Sequence, residues 1–214
     1  MNVGPLYRLR LLTPGLELRL GSHQELLALA QLAKEGVHPP AEMPFAVAWT
    51  DRIGEEDFVQ SVVEYHDATL RDWKPEDWRL NLLVFTSGEL AGSQSISAEH
   101  LATQREVSTG SWLGKRFQRQ GLGTEMRAAV LELAFRELGA AKATSGAIVG
   151  NEASKRVSEK LGYSITGTST VSPRGEPLMH YDLLINKDAW LAPVPVEILG
   201  LGACLPLFGI SESS

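Results

Sequence analysis

The sequence has very little cysteine. Cys204 is the only cysteine among 214 residues. A single cysteine excludes a disulfide within the chain and any CxxC metal site, and it is typical of proteins from the reducing cytoplasm. We therefore expect a cytoplasmic protein that holds no metal.

The sequence also lacks long apolar runs and clusters of basic residues. No run is long enough to cross a bilayer, and the N-terminus has no sustained apolar core of the kind found in signal peptides. The formal net charge is −6, and no Lys/Arg cluster offers a footprint for a polyanion. These absences predict a protein with no membrane partner and no nucleic-acid partner.

What the sequence does contain is an alternation of strand and helix patterns. Hydrophobic residues make up 43% of the chain and charged residues 21%, as in an ordinary globular domain. Residues 16–20 alternate like a half-buried strand, and helical spacing follows over 24–35 and 55–70. A hairpin is predicted with its turn at Ser87-Gly88, and a further strand then leads to Leu113. The pattern indicates one α/β domain without internal repeats.

Two glycines stand where a long helix begins. Gly121 and Gly123 in FQRQGLGTEM precede the apolar positions of that helix, although glycine costs about 1 kcal/mol relative to alanine there. A helix N-terminus has unpartnered N–H groups and a partial positive charge, so it binds anions, and glycine lets a phosphate approach closely. The adjacent side chains that could add donors are Gln118, Arg119 and Gln120. The stretch predicts a pyrophosphate cradle, and a plain strand-to-helix turn remains the alternative.

Other phosphate motifs do not fit this stretch. A dinucleotide-binding G-x-G-x-x-G would need glycine where Met126 stands, and the G-x-x-x-x-G-K-[ST] loop is absent. By contrast, QRQGLG resembles the Q/R-x-x-G-x-G/A motif of the GNAT acyltransferase superfamily, which grips the pyrophosphate of acetyl-CoA. The wider GSWLGKRFQRQGLGTEM and the later NEASKRVSEKLGY are similar to the two signatures of the RimJ/RimL branch. The resemblance covers Leu16 to Ile185.

The resemblance implies a fold and a domain division. The GNAT fold is α/β (α+β), with a mixed, mostly antiparallel sheet of about seven strands splayed at its centre and flanked by helices. Residues 1–186 would form the acyltransferase domain, and 187–214 a C-terminal extension that packs on its own domain or on a second subunit. An added strand in this tail has an unpaired edge, which favours a homodimer. Residues 211–214 are expected to be disordered.

The resemblance also implies a co-substrate and its site. Acetyl-CoA or another acyl-CoA would lie in the splayed gap, and the protein would be an acyl-CoA-dependent N-acyltransferase of the EC 2.3.1 class. The acceptor amine attacks the thioester directly in this family. The residues predicted to bind the acyl-CoA are Trp112, Leu113, Gln118, Arg119, Gln120, Gly121, Leu122, Gly123, Thr124, Asn151 and Ser154.

The catalytic groups are predicted with alternatives. Asn151 is expected to cap the next helix, and in the resemblance it contacts the pantetheine arm while a hydroxyl of this helix protonates the leaving sulfur. Many members have a tyrosine seven residues after the asparagine, whereas this chain has Ser158. The branch with the N-x-x-S signature would use its own serine as the acid. This makes Ser154 the preferred acid and Ser158 the alternative. The candidate base is Glu106, with Glu99 and His100 also left open; all three could line the acceptor cleft or be solvated loop charges.

The acceptor and the acyl group are left open by the sequence. The acceptor would be a primary amine of a protein N-terminus, a lysine or a small metabolite. Segment 38–49 is predicted to shape its site, with Phe45 and Trp49 as walls and Glu42 attracting the amine. Acetyl is the first expectation for the acyl group. Succinyl is the alternative, because GSWLG, TEMRAAVL and PLFG resemble an actinobacterial subgroup for which succinyl-CoA has been considered. A non-catalytic acyl-CoA-binding regulatory module is a further alternative, suggested by Ser158.

Overall fold

The computed structural model describes residues 1–210, so the expectation for residues 211–214 lies outside the described part. Within it, nine strands form one sheet. The strands are β1 Arg10–Leu12, β2 Glu17–Arg19, β3 Asp77–Thr86, β4 Glu89–Glu99, β5 Glu106–Leu113, β6 Lys142–Ile148, β7 Ser164–Val171, β8 Leu178–Asn186 and β9 Glu197–Leu199. The α-helices are α1 His23–Glu35, α2 Phe58–Arg71, α3 Leu101–Gln104, α4 Leu122–Glu132 and α5 Glu152–Lys160.

The sheet is mixed and mostly antiparallel, as predicted. Its order is β7-β8-β6-β5-β4-β3-β2-β1-β9, and only β5 and β6 run parallel. The expectation of about seven strands was too low. β1 was missed and β9 comes from the C-terminal tail, and both have three residues. β1 was missed because it shows no recognisable alternation of its own, whereas β9 is the added strand predicted in the tail.

The sheet opens between β5 and β6. Their parallel pairing covers Glu106–Ser108 against Lys142–Thr144 and then ends. At that point Thr109 Oγ1 donates to Thr144 O at 3.3 Å, and Ser145 Oγ donates to Thr109 O at 3.1 Å. Residues 110–113 of β5 pair only with β4. The splayed gap predicted at the centre of the sheet is therefore present.

Helices cover both faces of the sheet. α1 begins with a capping box between Ser22 and Glu25 and packs with α2 against the face that carries Trp112. α4 packs on the opposite face, and its residues 126–131 are all buried. A π-helical turn over Leu133–Glu137 continues α4, so the chain stays helical almost to Leu138 as predicted.

The C-terminal tail packs on its own domain. β9 adds to β1 with Ile198 opposite Leu11, and a 3₁₀ helix over Gly202–Phe208 follows. Phe208 is fully buried, with its ring centroid 4.8 Å from that of Trp78. Trp73 Nε1 donates to Leu207 O at 2.8 Å. These contacts explain how an apolar tail is removed from water within one chain.

Candidate functional site

The N-terminus of α4 is at the edge of the splayed gap. Gly121 is its N-cap, with a φ of +88° in the left-handed region. The N–H groups of Thr124 and Glu125 donate to Gly121 O at 3.0 and 3.2 Å. The N–H groups of residues 122 and 123 begin this first turn, so they have no acceptor inside the helix and are free for an anion.

Glycine occurs at positions 121 and 123 for different physical reasons. Gly121 needs to be glycine because its φ is positive. Gly123 has an ordinary helical backbone, and an added Cβ would lie 3.5 Å from Val157 Cγ2, which is a normal van der Waals contact. The fold therefore accepts a side chain at 123, and its absence there is better explained by close approach of a ligand.

The three residues before Gly121 do not all point at that helix end. Gln118 Nε2 donates to Leu113 O at 2.9 Å and to Val37 O at 2.7 Å, which ties β5 to the segment after α1. Gln120 Nε2 donates to Arg116 O at 2.7 Å. Arg119 is exposed, with a φ of +62°. Both amides thus shape the loop, whereas the Arg119 side chain is exposed to solvent.

The remaining predicted acyl-CoA contacts lie along the gap and on α4. Leu113 is buried at the end of β5, whereas Trp112 points to the opposite face and is half-buried. Leu122 and Thr124 are half-buried in the first turn of α4. The structure thus brings these four residues to the same end of β5 as the two glycines.

The start of α5 lies across the gap. Asn151 is its N-cap, as predicted, and its Oδ1 accepts from Ser154 N at 3.1 Å. Ser154 is half-buried, and its hydroxyl makes no hydrogen bond within residues 1–210. Ser158 is fully buried, and its hydroxyl donates to Ser154 O at 3.1 Å. The proton of Ser158 is therefore already used inside the helix.

Arg127 is a residue of the gap that the sequence analysis missed. Nη1 donates to Ser158 Oγ at 2.8 Å and Nη2 to Ser111 Oγ at 3.4 Å, while Nε has no partner. The side chain is buried, and no carboxylate pairs with it among the residues that the structure describes. Burial lowers its pKa, yet a guanidinium stays charged near neutral pH. A charge inside the apolar run 126–131 was the signal that could have identified it.

Glu106, the predicted base, lies away from this cluster. It begins β5 in the part still paired with β6, and its carboxylate is 2.6 Å from Lys142 Nζ. Glu99 and His100 end β4 at the same side of the sheet and are exposed. The structure does not bring these three residues together with Ser154.

The predicted acceptor segment forms an aromatic wall beside β5. The ring centroid of Trp49 is 5.3 Å from those of Phe45 and Trp112. Glu42 is exposed. Asp51 follows this wall, and the guanidinium of Arg174 lowers the pKa of its carboxyl. The aromatic wall stands on the face of the sheet opposite to α4.

No group of three or more metal-ligating side chains is found within residues 1–210. In the same range, none of the helices has the length and apolar character needed to span a bilayer.

A sheet split between two parallel strands, with a glycine-lined helix N-terminus at the split, is the arrangement of an acyl-CoA-dependent N-acyltransferase. Residues 25–164 match the family described as "Acetyltransferase (GNAT) domain". The chain belongs to this family, and it is an acyl-CoA-dependent N-acyltransferase.

Several known proteins are similar to this chain. The "Putative ribosomal N-acetyltransferase YdaF" of Bacillus subtilis is 29% identical over 134 residues, which cover 59% of this chain and 71% of that protein. Mycobacterium smegmatis RimJ in complex with CoA-disulfide superposes with a TM-score of 0.68 at 18% identity, covering 86% of this chain and 90% of the other. RimL, a ribosomal L7/L12 α-N-protein acetyltransferase in complex with CoA, gives 0.63 at 20% identity, covering 83% and 97%. The two structures establish the fold.

Proposed function

We propose that this protein transfers an acetyl group from acetyl-CoA to a primary amine by direct attack of the amine on the thioester. The observation that carries this proposal is Gly123, where the fold tolerates a side chain and the sequence has none. A pyrophosphate held by the N–H groups of residues 122 and 123 gives that absence a function.

The rest of the acyl-CoA would follow the gap. From the cradle the pantetheine runs along residues 110–113 of β5, which have no partner on β6. The amide groups of the pantetheine would form hydrogen bonds with this edge of β5, whose backbone groups would otherwise be unpaired. Asn151 and Ser154 line the other side of its path.

The chemistry needs few groups. As the amine nitrogen bonds to the thioester carbon, the C–S bond breaks and its electron pair stays on sulfur, while the amine loses a proton. Ser154 is the hydroxyl that we propose to meet the sulfur, because its proton is free whereas that of Ser158 goes to Ser154 O. The Glu106 carboxylate is occupied by Lys142, which does not favour it as the base.

For the acceptor we propose the α-amine of a protein, and of a ribosomal protein in particular. The names of YdaF and RimL support this choice. The aromatic wall of Phe45, Trp49 and Trp112 gives a peptide N-terminus an apolar surface to lie against. A lysine or a small metabolite is tested as an alternative.

One observation favours succinyl-CoA as a second candidate donor. A succinyl group carries a carboxylate that needs a cationic partner, and Arg127 is a buried cation without one. If Arg127 binds this carboxylate, Arg127→Met will lower kcat/KM for succinyl-CoA and leave the value for acetyl-CoA unchanged.

The proposal extends to assembly and location. Residues 1–186 would be the catalytic domain and residues 187–214 an extension that stabilises it. A homodimer would use the outer edge of β9, which ends the sheet. Light scattering of the full chain tests the dimer, and a monomer at micromolar concentration rules it out. The cytoplasm, which is reducing, suits the free thiol of Cys204.

The test of the proposed function is thiol release from acetyl-CoA and succinyl-CoA. Each donor is mixed with peptides that have a free α-amine, with the same peptides after N-terminal acetylation, with N-acetyl-lysinamide and with small amines. We expect release from acetyl-CoA that depends on a free α-amine. Binding of acyl-CoA without amine-dependent release would indicate the non-catalytic regulatory module instead.

A further inference from the structure

The proposed function still lacks a base on the face where the amine enters. The side chains of β5 alternate, so Ser111 points to Arg127 on α4 while Trp112 points to the aromatic wall. In the parallel register Ser108 lies opposite Thr144, so residues 144, 146 and 148 of β6 share the face of Trp112. β8 continues the sheet, with His180 opposite Ile148 and Asp182 opposite Gly146. His180 and Asp182 therefore face the acceptor side.

His180 lies directly over the splayed half of β6. A Cβ built on Gly146 would be 1.9 Å from His180 Cε1 and 2.2 Å from Nε2, so the imidazole fills the place of a side chain at 146. Gly146 follows Ser145, which makes the last contact with β5 before the strands separate. The ring edge that carries Nε2 is thus placed on the strand that borders the gap.

The other ring nitrogen lies near a carboxylate. His180 Nδ1 is buried without a hydrogen-bond partner, and Asp182 Oδ1 is 3.5 Å away. Asp182 Oδ1 also accepts from Ser169 Oγ at 2.7 Å, which fixes the carboxylate from β7. A carboxylate at Nδ1 favours the tautomer that has its proton on Nδ1 and its lone pair on Nε2.

His180 has a charged neighbour on its own strand and a polar one on the adjacent strand. Asp182 on its own strand is the charged neighbour, and Ser169 is the polar one on β7. On β6 the ring lies over Gly146, and Ile148 is the residue opposite His180 in the register. Tyr181 points to the opposite face, where Lys155 of α5 lies over its ring.

From this arrangement we propose that His180 is the general base of the transfer and that Asp182 orients it. This inference rests on the proposed function. As the amine bonds to the thioester carbon, His180 Nε2 takes the proton that the nitrogen loses, and the departing sulfur keeps the C–S electron pair. His180 then passes its proton to solvent, and Ser154 or solvent supplies one to the thiolate.

The test compares His180→Gln and Asp182→Asn with the wild type and with His23→Gln, a control at the exposed start of α1. Acetyl transfer to a free-α-amine peptide is measured from pH about 6 to 9, together with CoA affinity by calorimetry. We expect His180→Gln to lower kcat/KM for the amine about 10²- to 10⁴-fold, the usual contribution of a general base. CoA affinity should be unchanged, and the acidic limb that comes from protonation of the peptide's own α-amine should remain.

Asp182→Asn is expected to lower the rate less than His180→Gln, and the control to match the wild type. If His180→Gln keeps its rate within about threefold of the wild-type rate while binding CoA, the assignment of the base is wrong. A wild-type protein without amine-dependent thiol release is a separate outcome, because it overturns the proposed function itself. Unchanged CoA affinity and melting temperature exclude misfolding as the cause of a lower rate.

Discussion

Gly123→Ala should change stability and CoA affinity in opposite directions. The new methyl group would make an ordinary contact 3.5 Å from Val157 Cγ2, and the backbone there is already helical. Replacing a helical glycine by alanine stabilises a protein by about 0.5–1 kcal/mol. For a domain of this size that raises Tm by roughly 1–4 °C.

The same methyl group stands where a phosphate oxygen would approach the N–H groups. Loss of one hydrogen bond to a charged group costs about 1.5–3 kcal/mol, which weakens CoA binding roughly ten- to a hundredfold. Gly123→Asp should abolish binding, because it adds a negative charge at the same place.

The assay is calorimetric titration with CoA, paired with thermal unfolding. The matched control is Gly139→Ala, which follows α4 at a φ of +70° with nothing within 4 Å of an added Cβ. A positive φ strains alanine, so this variant should lose stability and keep its CoA affinity. If Gly123→Ala raises Tm and leaves CoA affinity unchanged, the phosphate does not lie on this helix N-terminus.

Three other predictions follow from single contacts. Ser154→Ala should lower kcat more than it raises KM for acetyl-CoA, because a donor to the thiolate acts mainly in the transition state. If Ser158→Ala shows this pattern and Ser154→Ala does not, the two roles are exchanged. Phe208→Ala should cost about 3–5 kcal/mol and lower Tm by roughly 6–20 °C, since the ring is fully buried against Trp78, and an unchanged Tm contradicts the packing of the tail. Burial lowers the pKa of His66 to about 4, so between pH about 6.5 and 4 the unfolded chain binds this proton and the folded chain does not. Stability should fall by up to about 3 kcal/mol as the pH drops through this window, and denaturant unfolding of His66→Leu should show a smaller fall.

Much of the fold could be predicted from local patterns. The strand that ends at Leu113 and the loop glycines are close together in the chain, and so are Asn151 and the helix that it caps. Each of these features depends on residues nearby in the sequence. The three-residue strands could not be predicted in full, because β1 pairs with β9 across almost the whole chain and has no periodicity of its own.

The site shows the same division between local and long-range information. Gly121 and Gly123 could be found because both lie in one turn. Arg127 and His180 could not be placed, since Arg127 reaches Ser158 on another helix and His180 covers a glycine on a neighbouring strand. The sheet register decides which face the His180 side chain occupies.

A crystal structure of the protein with bound CoA tests the central claim most directly. The account predicts diphosphate oxygens within hydrogen-bond distance of the N–H groups of Leu122 and Gly123, with the pantetheine in the gap between β5 and β6. A diphosphate bound away from the start of α4, or a pantetheine outside the gap, would contradict it.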